Sequence, residues 1–446
     1  MAFLHMMEEP YIDVGIIEAY VCVSGALNGP FLINGTLRLD GAFSARTEAG
    51  KIILADGKGR TLLREKEVRC APLESSTFTL SDVTIGVRFH WERKQEQTFR
   101  GELIIITDKD DLITAVNRVL LEDYIASVIS SEMNPEAPLE FLKAHAIASR
   151  SWLLAMLKGK GKVKRSPEAG SAPESHEVIR YYNRVDHERF DVCADDHCQR
   201  YQGVTRIASE NARNAVTETR GIFLVHGNEI CDARYHKACG GLTEDFANTW
   251  EDVSVPYLTS VPDSGTPHDP IRTEEEARKW IMAEPDAYCN THDKDILRRI
   301  LSDFDRETTD FFRWNVAYAR TELEEIIREK SGIDFGDITD IIPVLRGPSG
   351  RIVKLMIKGA KKTVTVGKEL EIRRWLSRSH LMSSAFIVCK EQDESELPAR
   401  FIFQGAGWGH GVGLCQIGAA VMALKGFSAP AILKHYFRGA DMEKLY

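Results

Sequence analysis

Between Tyr11 and about Phe99, apolar and polar residues alternate or gather in short β-branched runs divided by Gly and Asn. Examples are Ile16 to Val23, Phe31 to Leu39, Lys51 to Leu54 and Ser76 to Phe89. A period of two sends alternate side chains to opposite sheet faces, so residues 1–99 read as a β-rich N-terminal region. At Leu120 the period changes. Leu121, Ile125 and Val128, then Leu139, Leu142, Ala146, Leu153 and Met156, recur mostly at steps of three and four, which predicts helices. Asn134-Pro135-Glu136-Ala137-Pro138 interrupts them, because each proline lacks an N–H and restricts the residue before it, so two helices joined by a tight elbow are expected. Gly159 to Ser175, rich in Gly, Lys, Ser and Pro, reads as a loop, and Ile222 to Val225 with Ile230 to Tyr235 as a hairpin turning at Gly227-Asn228. A polar stretch over 263–311, with Trp280, Ile281, Ile296 and Ile300 as its few anchors, reads as a helical insertion. Alternation returns from Arg351 to Val366, and Ser428 with Pro430 caps a last helix carrying Ile432, Leu433 and Tyr436. The expected fold class is α+β: the β-rich region, a mixed helix/strand core over 100–262 and 312–446, and the insertion between its parts.

At 446 residues, 43% hydrophobic and 28% charged, the chain can bury a substantial core and divide into more than one domain. Apolar runs such as Leu103 to Ile106 or Val119 to Ile129 are short or broken by charge, far below the roughly 20 residues of a membrane-spanning helix, so no membrane span is expected. Lys plus Arg number 57 against 66 Asp plus Glu, and apart from Lys158 to Arg165 there is no basic block, which excludes a nucleic-acid partner. Met1 to Pro10 has no basic segment followed by an apolar run, so no signal peptide or anchor is read there. Nine cysteines, an odd number spread widely, do not resemble a secreted disulfide framework.

Candidate chemistry starts with Glu132. Leu121, Ile125, Val128 and Glu132 follow one another at steps of four, three and four, which carries a carboxyl group onto the face expected to be buried. Loss of water favours the protonated form of a carboxyl group, the form a general acid requires, and the elbow would set this one beside an opening. Pairing with a cation such as Arg150, or capping of the second helix, is the competing reading. Lys143 and Arg150 project from the second helix near the elbow, as substrate contacts or as paired helix charges.

His187, Cys193, His197 and Cys198 offer two imidazoles and two thiolates, a donor set suited to tetrahedral zinc, though not at zinc-finger spacing. A Cys193–Cys198 disulfide or free thiols are the alternatives. Four protein ligands would leave no position for water, so such a zinc would be structural. Glycines at 405, 407, 409, 411 and 413 alternate with Ala406, Trp408, His410 and Val412. In a strand they would share one face, which lets a backbone or a sugar ring approach. A dinucleotide fingerprint is not indicated, since no acidic residue follows at about 20 positions with a second strand. Trp408 could stack on a sugar or lie in the core, and His410 and Gln416 could hydrogen-bond hydroxyl or acetamido groups.

Arg100-Gly101 through Val116-Asn117, Leu121-Glu122-Asp123-Tyr124, Val128-Ile129-Ser130-Ser131-Glu132-Met133 and Leu142-Lys143-Ala144-His145-Ala146-Ile147-Ala148-Ser149-Arg150 closely resemble the signature of the SpoIID family of stage II sporulation proteins, which includes the amidase enhancer LytB. Tyr235-His236-Lys237-Ala238-Cys239-Gly240-Gly241-Leu242-Thr243, with Trp250 and Pro256-Tyr257-Leu258, is similar to a second block of that family. Ser349-Gly350-Arg351, Leu381 to Phe386, and Gly405 through Ala419 are similar to later ones.

The resemblance implies a SpoIID-like fold and a peptidoglycan lytic transglycosylase that cleaves the MurNAc–GlcNAc linkages of denuded glycan strands. Glu132 would be the single general acid and base, leaving 1,6-anhydro-MurNAc ends. It implies that His236 contacts substrate, that Gly240 and Gly241 line the cleft with Cys239, and that zinc can sit at the Cys193 to Cys198 loop. No cofactor is required for the chemistry. The alternative it offers is a non-catalytic peptidoglycan-binding protein or an amidase enhancer of the LytB type, with a cell-wall amidase as partner. Either reading places the protein in the cell envelope or outside the cytoplasm. His145 stands where relatives commonly have Gln.

Overall fold

The computed structural model describes residues 8–86, 92–108, 110–159, 176–181, 187–207, 209–392 and 396–446. The loop read at Gly159 to Ser175 lies outside these from residue 160 onward, as do most of the basic run Lys158 to Arg165 and the last residues of the run Ser76 to Phe89. Strand outweighs helix, 38% against 26%, in an α+β arrangement whose N-terminal part is almost wholly sheet.

Among the described residues, eleven strands form the N-terminal sheet, which does not stop at residue 99. The strands Glu102–Thr107 and Ile113–Leu120 belong to it, and the latter pairs antiparallel with Tyr11–Tyr20 from Tyr11↔Leu120 to Tyr20↔Ile113. On its other side Tyr11–Tyr20 accepts Val192–Cys193 in parallel, through Val14↔Val192 and Gly15↔Cys193. One partner of the sheet edge is therefore a short strand that carries a candidate metal ligand.

Strand Ile113–Leu120 runs directly into helix α1, Leu121–Glu132, whose first turn holds Glu122 and Asp123, where carboxylates favour the helix dipole. Met133 is extended and ends the helix. The elbow then closes with Ala137 N–H donating to Asn134 O at 2.9 Å and Glu136 N–H donating to Asn134 Oδ1 at 3.0 Å, before α2, Leu139–Gly159, begins. Residues from the polar stretch pin this corner: Asn134 N–H donates to Ile300 O at 3.0 Å, and Met133 bridges Leu301. That stretch contains two short α-helices, Glu274–Met282 and Lys294–Ile300. The first is capped reciprocally by Thr273 and Glu276.

Every residue of α1 except Asp123 is buried, so the whole helix, and not one stripe of it, lies in the core. It packs with α2 and with helix Glu210–Glu218, and α2 in turn packs against helices Gln416–Leu424 and Ala429–Tyr436 and strand Ile222–His226, which pairs with Asp441–Lys444. Pro430 stands in the first turn of the last helix, and the Ser428 side chain accepts from Ala431 N–H. A separate core, built around Trp314, Leu323, Phe335 and Trp375, is enclosed by the sheet Glu177–Ile179, Thr363–Gly367, Ile352–Gly359 and Ile338–Arg346 and by the sheet Arg313–Ala319, Pro398–Ala406 and Phe386–Gln392.

The glycine ladder is not a strand beyond Ala406. Gly407, Gly409, Gly411 and Gly413 all take left-handed backbone, with φ of 76°, 100°, 82° and 76°. The room they leave is filled by protein: a Cβ would meet Ala238 O at 2.7 Å from Gly407, and Arg234 O at 2.2 Å from Gly413. Glycine is needed there for both conformation and approach. The ladder therefore lies against the segment 234–239, and the two blocks join as a parallel pair, Tyr235↔Leu414 and His236↔Cys415.

Candidate active site

Glu132 closes α1 with only 8% of its surface exposed. Its carboxylate is approached by neutral donors from three separate stretches. Arg200 backbone N–H donates to Oε1 at 3.1 Å, the Tyr235 hydroxyl to Oε1 at 3.4 Å, and the Gln416 amide to Oε2 at 3.5 Å. The same amide reaches His145 Nε2 at 3.3 Å. Burial, helped by the Lys237 charge, lowers the His145 pKa to about 3, so the ring is neutral near pH 7 and its Nε2 can accept. Among the described residues no side-chain cation pairs with the Glu132 carboxylate.

Charged groups stand one layer away. Lys237 Nζ donates to the Glu132 backbone carbonyl at 3.0 Å and to Asp305 Oδ2 at 2.8 Å, while Arg200 bonds Asp196 at 2.5 Å and Asp305 at 3.3 Å. Burial alone would raise Asp305, but Lys237 and Arg200 outweigh it and hold this acid below the ordinary carboxylate range. Asp196 is raised, chiefly by burial, against the pull of Arg200 and with the Glu132 charge adding to the rise. Glu132, Asp196 and Asp305 thus lie around Lys237 and Arg200, three carboxyl groups about two cations. Beside the elbow a cleft of about 190 Å³ opens between Ser131, Asn134, Pro135, Arg206, Ser302 and Arg306.

Of the residues proposed from sequence, Gln416 is brought to Glu132, while the others are engaged elsewhere. Arg150 is fully buried and forks onto Glu122, with Nε to Oε1 at 3.1 Å and a terminal nitrogen to Oε2 at 2.6 Å. Lys143 pairs with Glu140 at 2.8 Å and Glu218 at 2.6 Å. Both residues are thus paired helix charges in this structure. His236 is 4% exposed; its Nδ1 donates to Val412 O at 3.2 Å, and burial, together with Arg351, lowers its pKa to about 3. His410 Nε2 donates to Tyr235 O at 2.9 Å while its Nδ1 accepts from Val412 N–H at 3.1 Å, so both ring nitrogens hold backbone. Half-buried Trp408 packs against Phe311, with ring centroids 5.1 Å apart, and exchanges backbone hydrogen bonds with Ala238. The space left by Gly240 and Gly241 is taken by the Gly407 backbone and the Trp280 ring.

Arg200, Tyr235, Lys237, Asp196 and Asp305 were not singled out from the sequence. Tyr235 and Lys237 flank His236 in a block that had been noticed, and that adjacency was the available signal. Nothing in the spacing of Asp305 announces a contact with Lys237, 68 residues away.

The donor atoms of His187, Cys193, His197 and Cys198 lie within 4.8 Å of one another. Cys198 Sγ is 3.4 Å from His187 Nε2 and 3.5 Å from His197 Nδ1, and the two thiols are not joined. The loop does wrap as one ion would require, and these cysteine and histidine groups could bind a metal ion.

A stage II sporulation protein family model matches residues 109–226. A second family model, described as a domain of unknown function, matches residues 244–413. Stage II sporulation protein D of Bacillus amyloliquefaciens is 24% identical over 331 residues, 74% of this chain and 76% of that protein. An uncharacterized protein of Brachyspira hyodysenteriae is 26% identical over 77% of this chain and 72% of its own length. The amidase enhancer of Bacillus subtilis (strain 168) is 23% identical over 52% of this chain but only 33% of its own. The chain thus matches the SpoIID family model over residues 109–226 and resembles both stage II sporulation protein D and the amidase enhancer. No helix among the described residues is long and apolar enough to cross a membrane.

Proposed function

We propose that this protein acts on the bacterial cell wall and, more specifically, that it is a lytic transglycosylase cleaving MurNAc–GlcNAc linkages of denuded glycan strands, with Glu132 as acid and then base. The observation that carries the reading is the contrast between the two buried acids of α1. Glu122 has the Arg150 guanidinium in direct contact, whereas the hydrogen-bond partners of the Glu132 carboxyl among the described residues are an amide N–H, a phenol and a carboxamide. A carboxyl group held at a helix end by neutral donors is positioned to exchange a proton with a substrate oxygen.

The chemistry balances with one carboxyl group. The Glu132 proton passes to the bridging oxygen as its bond to C1 of the muramic acid breaks. The resulting carboxylate, held by Arg200 N–H, Tyr235 and Gln416, then takes the proton of the C6 hydroxyl as that oxygen bonds C1. The 1,6-anhydro ring closes, no water is consumed, and the acid is regenerated. Hydrolases that add water generally need a second carboxyl group for that step. Zinc held by His187, Cys193, His197 and Cys198 would have four protein ligands and would fasten the loop at the sheet edge without taking part in cleavage.

Peptide-stripped glycan strands, incubated with wild-type and Glu132→Gln protein and read by mass spectrometry, test the proposal. Anhydro-muramyl ends are expected from the wild type, with a loss of about 10²–10⁴ in rate for the variant. Reducing ends alone would mean hydrolysis. No products from folded protein would assign the accessory role that the name of the amidase enhancer suggests.

A further inference from the structure

The described residues hold a second group of metal-binding side chains that the proposed reaction does not use. Cys239, Asp263, Cys289 and Cys415 are each at most 2% exposed, and their Sγ and carboxylate oxygen atoms all lie within 4.8 Å of one another. They come from four separate stretches. Cys239 lies within the His236 block, Asp263 accepts Cys289 N–H at 2.7 Å, and Cys415 caps the helix that begins at Gln416.

We propose that these four residues form a structural zinc site. Zinc–sulfur bonds of about 2.3 Å and zinc–oxygen bonds of about 2.0–2.2 Å set the ligands of a tetrahedron roughly 3.5–3.8 Å apart. Cys239 and Cys289 sulfurs stand 3.5 Å apart, unjoined. Backbone amides reach two of the sulfurs. Gly241 N–H donates to Cys239 Sγ at 3.3 Å, and Cys415 Sγ receives Cys239 N–H at 3.3 Å and Gly418 N–H at 3.4 Å. Such amide donors stabilise and orient metal-bound sulfur. Asp263 is fully buried and takes hydrogen bonds from Tyr436 and Cys289, yet no Lys, Arg or His pairs with it among the described residues. A buried carboxylate without a cation is costly, and a divalent ion supplies the missing charge. Binding displaces the three thiol protons to solvent, and all four positions are filled by protein, so the ion fastens structure and does not activate water. It would tie the Cys239 turn to Cys415, the neighbour of Gln416, and so fix the amide that faces Glu132.

The full chain carrying His187→Ala and His197→Ala, which leaves the surface cluster two donors short, isolates the site. After incubation with zinc chloride and a thiol reductant, then desalting, elemental mass spectrometry should find one zinc per chain, and adding Cys289→Ser should remove it. Because Cys289→Ser alters a buried position, cobalt(II) provides a reading on the folded H187A/H197A chain itself, where sulfur-to-cobalt charge-transfer absorption is expected. A zinc-free H187A/H197A chain without that absorption overturns the assignment, whether mass mapping then finds a Cys239–Cys289 disulfide or three free thiols. A folded Cys289→Ser chain that retains its zinc overturns it equally.

Discussion

Replacing Arg150 by methionine separates a structural cation from a substrate contact. Its guanidinium makes two charge-assisted bonds to Glu122 and donates to Ile222 O at 3.0 Å, over the Phe223 ring at 5.9 Å. Two such bonds are worth about 1.5–3 kcal/mol each. In Arg150→Met the Glu122 carboxylate keeps Gly221 N–H and the Tyr446 hydroxyl but has no cation, and stranding one member of a buried pair costs about 3–5 kcal/mol. The two estimates agree. Urea unfolding followed by circular dichroism should show a loss of that size. Arg150→Met combined with Glu122→Leu should recover most of it, because a buried pair exchanged for apolar residues is often neutral. A kinetic arm compares KM for glycan strands in native buffer, where KM should not change. An unaltered urea midpoint with a raised KM would refute the structural assignment and return Arg150 to the binding surface.

Other expectations follow from the same packing. His145, held to a pKa of about 3 by burial and Lys237, binds a proton more weakly folded than unfolded, where its value is about 6.5. Its contribution to stability is therefore complete above pH 6.5 and falls by about 1.4 kcal/mol per pH unit as the pH drops toward 3. Urea midpoints between pH 7.5 and 5 should decline less steeply in His145→Gln, and an identical slope would exclude the imidazole as the cause. Gly411→Ala places a methyl group 2.3 Å from the Arg351 guanidinium at φ 82°, whereas Gly426→Ala, at φ 90°, meets nothing within 4 Å. The latter should cost only the about 1–2 kcal/mol of left-handed backbone and the former distinctly more, measured as the difference in unfolding free energy. Equal losses would show that Arg351 moves aside freely.

Local pattern carried much of the fold. The elbow was legible because two prolines within four residues cannot continue a helix, and the last helix because Ser428 and Pro430 mark its start. Glu132 was legible as a buried acid, although α1 is enclosed on nearly every side, so the stripe that drew attention to it did not distinguish it from Glu122. What distinguishes them is the partner, and partners are long-range: Gln416 lies 284 residues from Glu132, and Arg200 lies 68. The ladder was misread as a strand beyond Ala406 because alternation of glycine with larger residues looks like a period of two. Repeated left-handed turns give the same alternation, and only the nearness of segment 234–239 shows which of the two is present.

The parallel pairing of Tyr235–His236 with Leu414–Cys415 has a consequence for biosynthesis. The carboxyl group of Glu132 is synthesised early, but the carboxamide that meets it arrives only when position 416 has left the ribosome. A nascent or stalled chain would carry the acid without this last donor. Protease clipping that released the C-terminal stretch would remove the same donor, leaving Glu132 itself untouched.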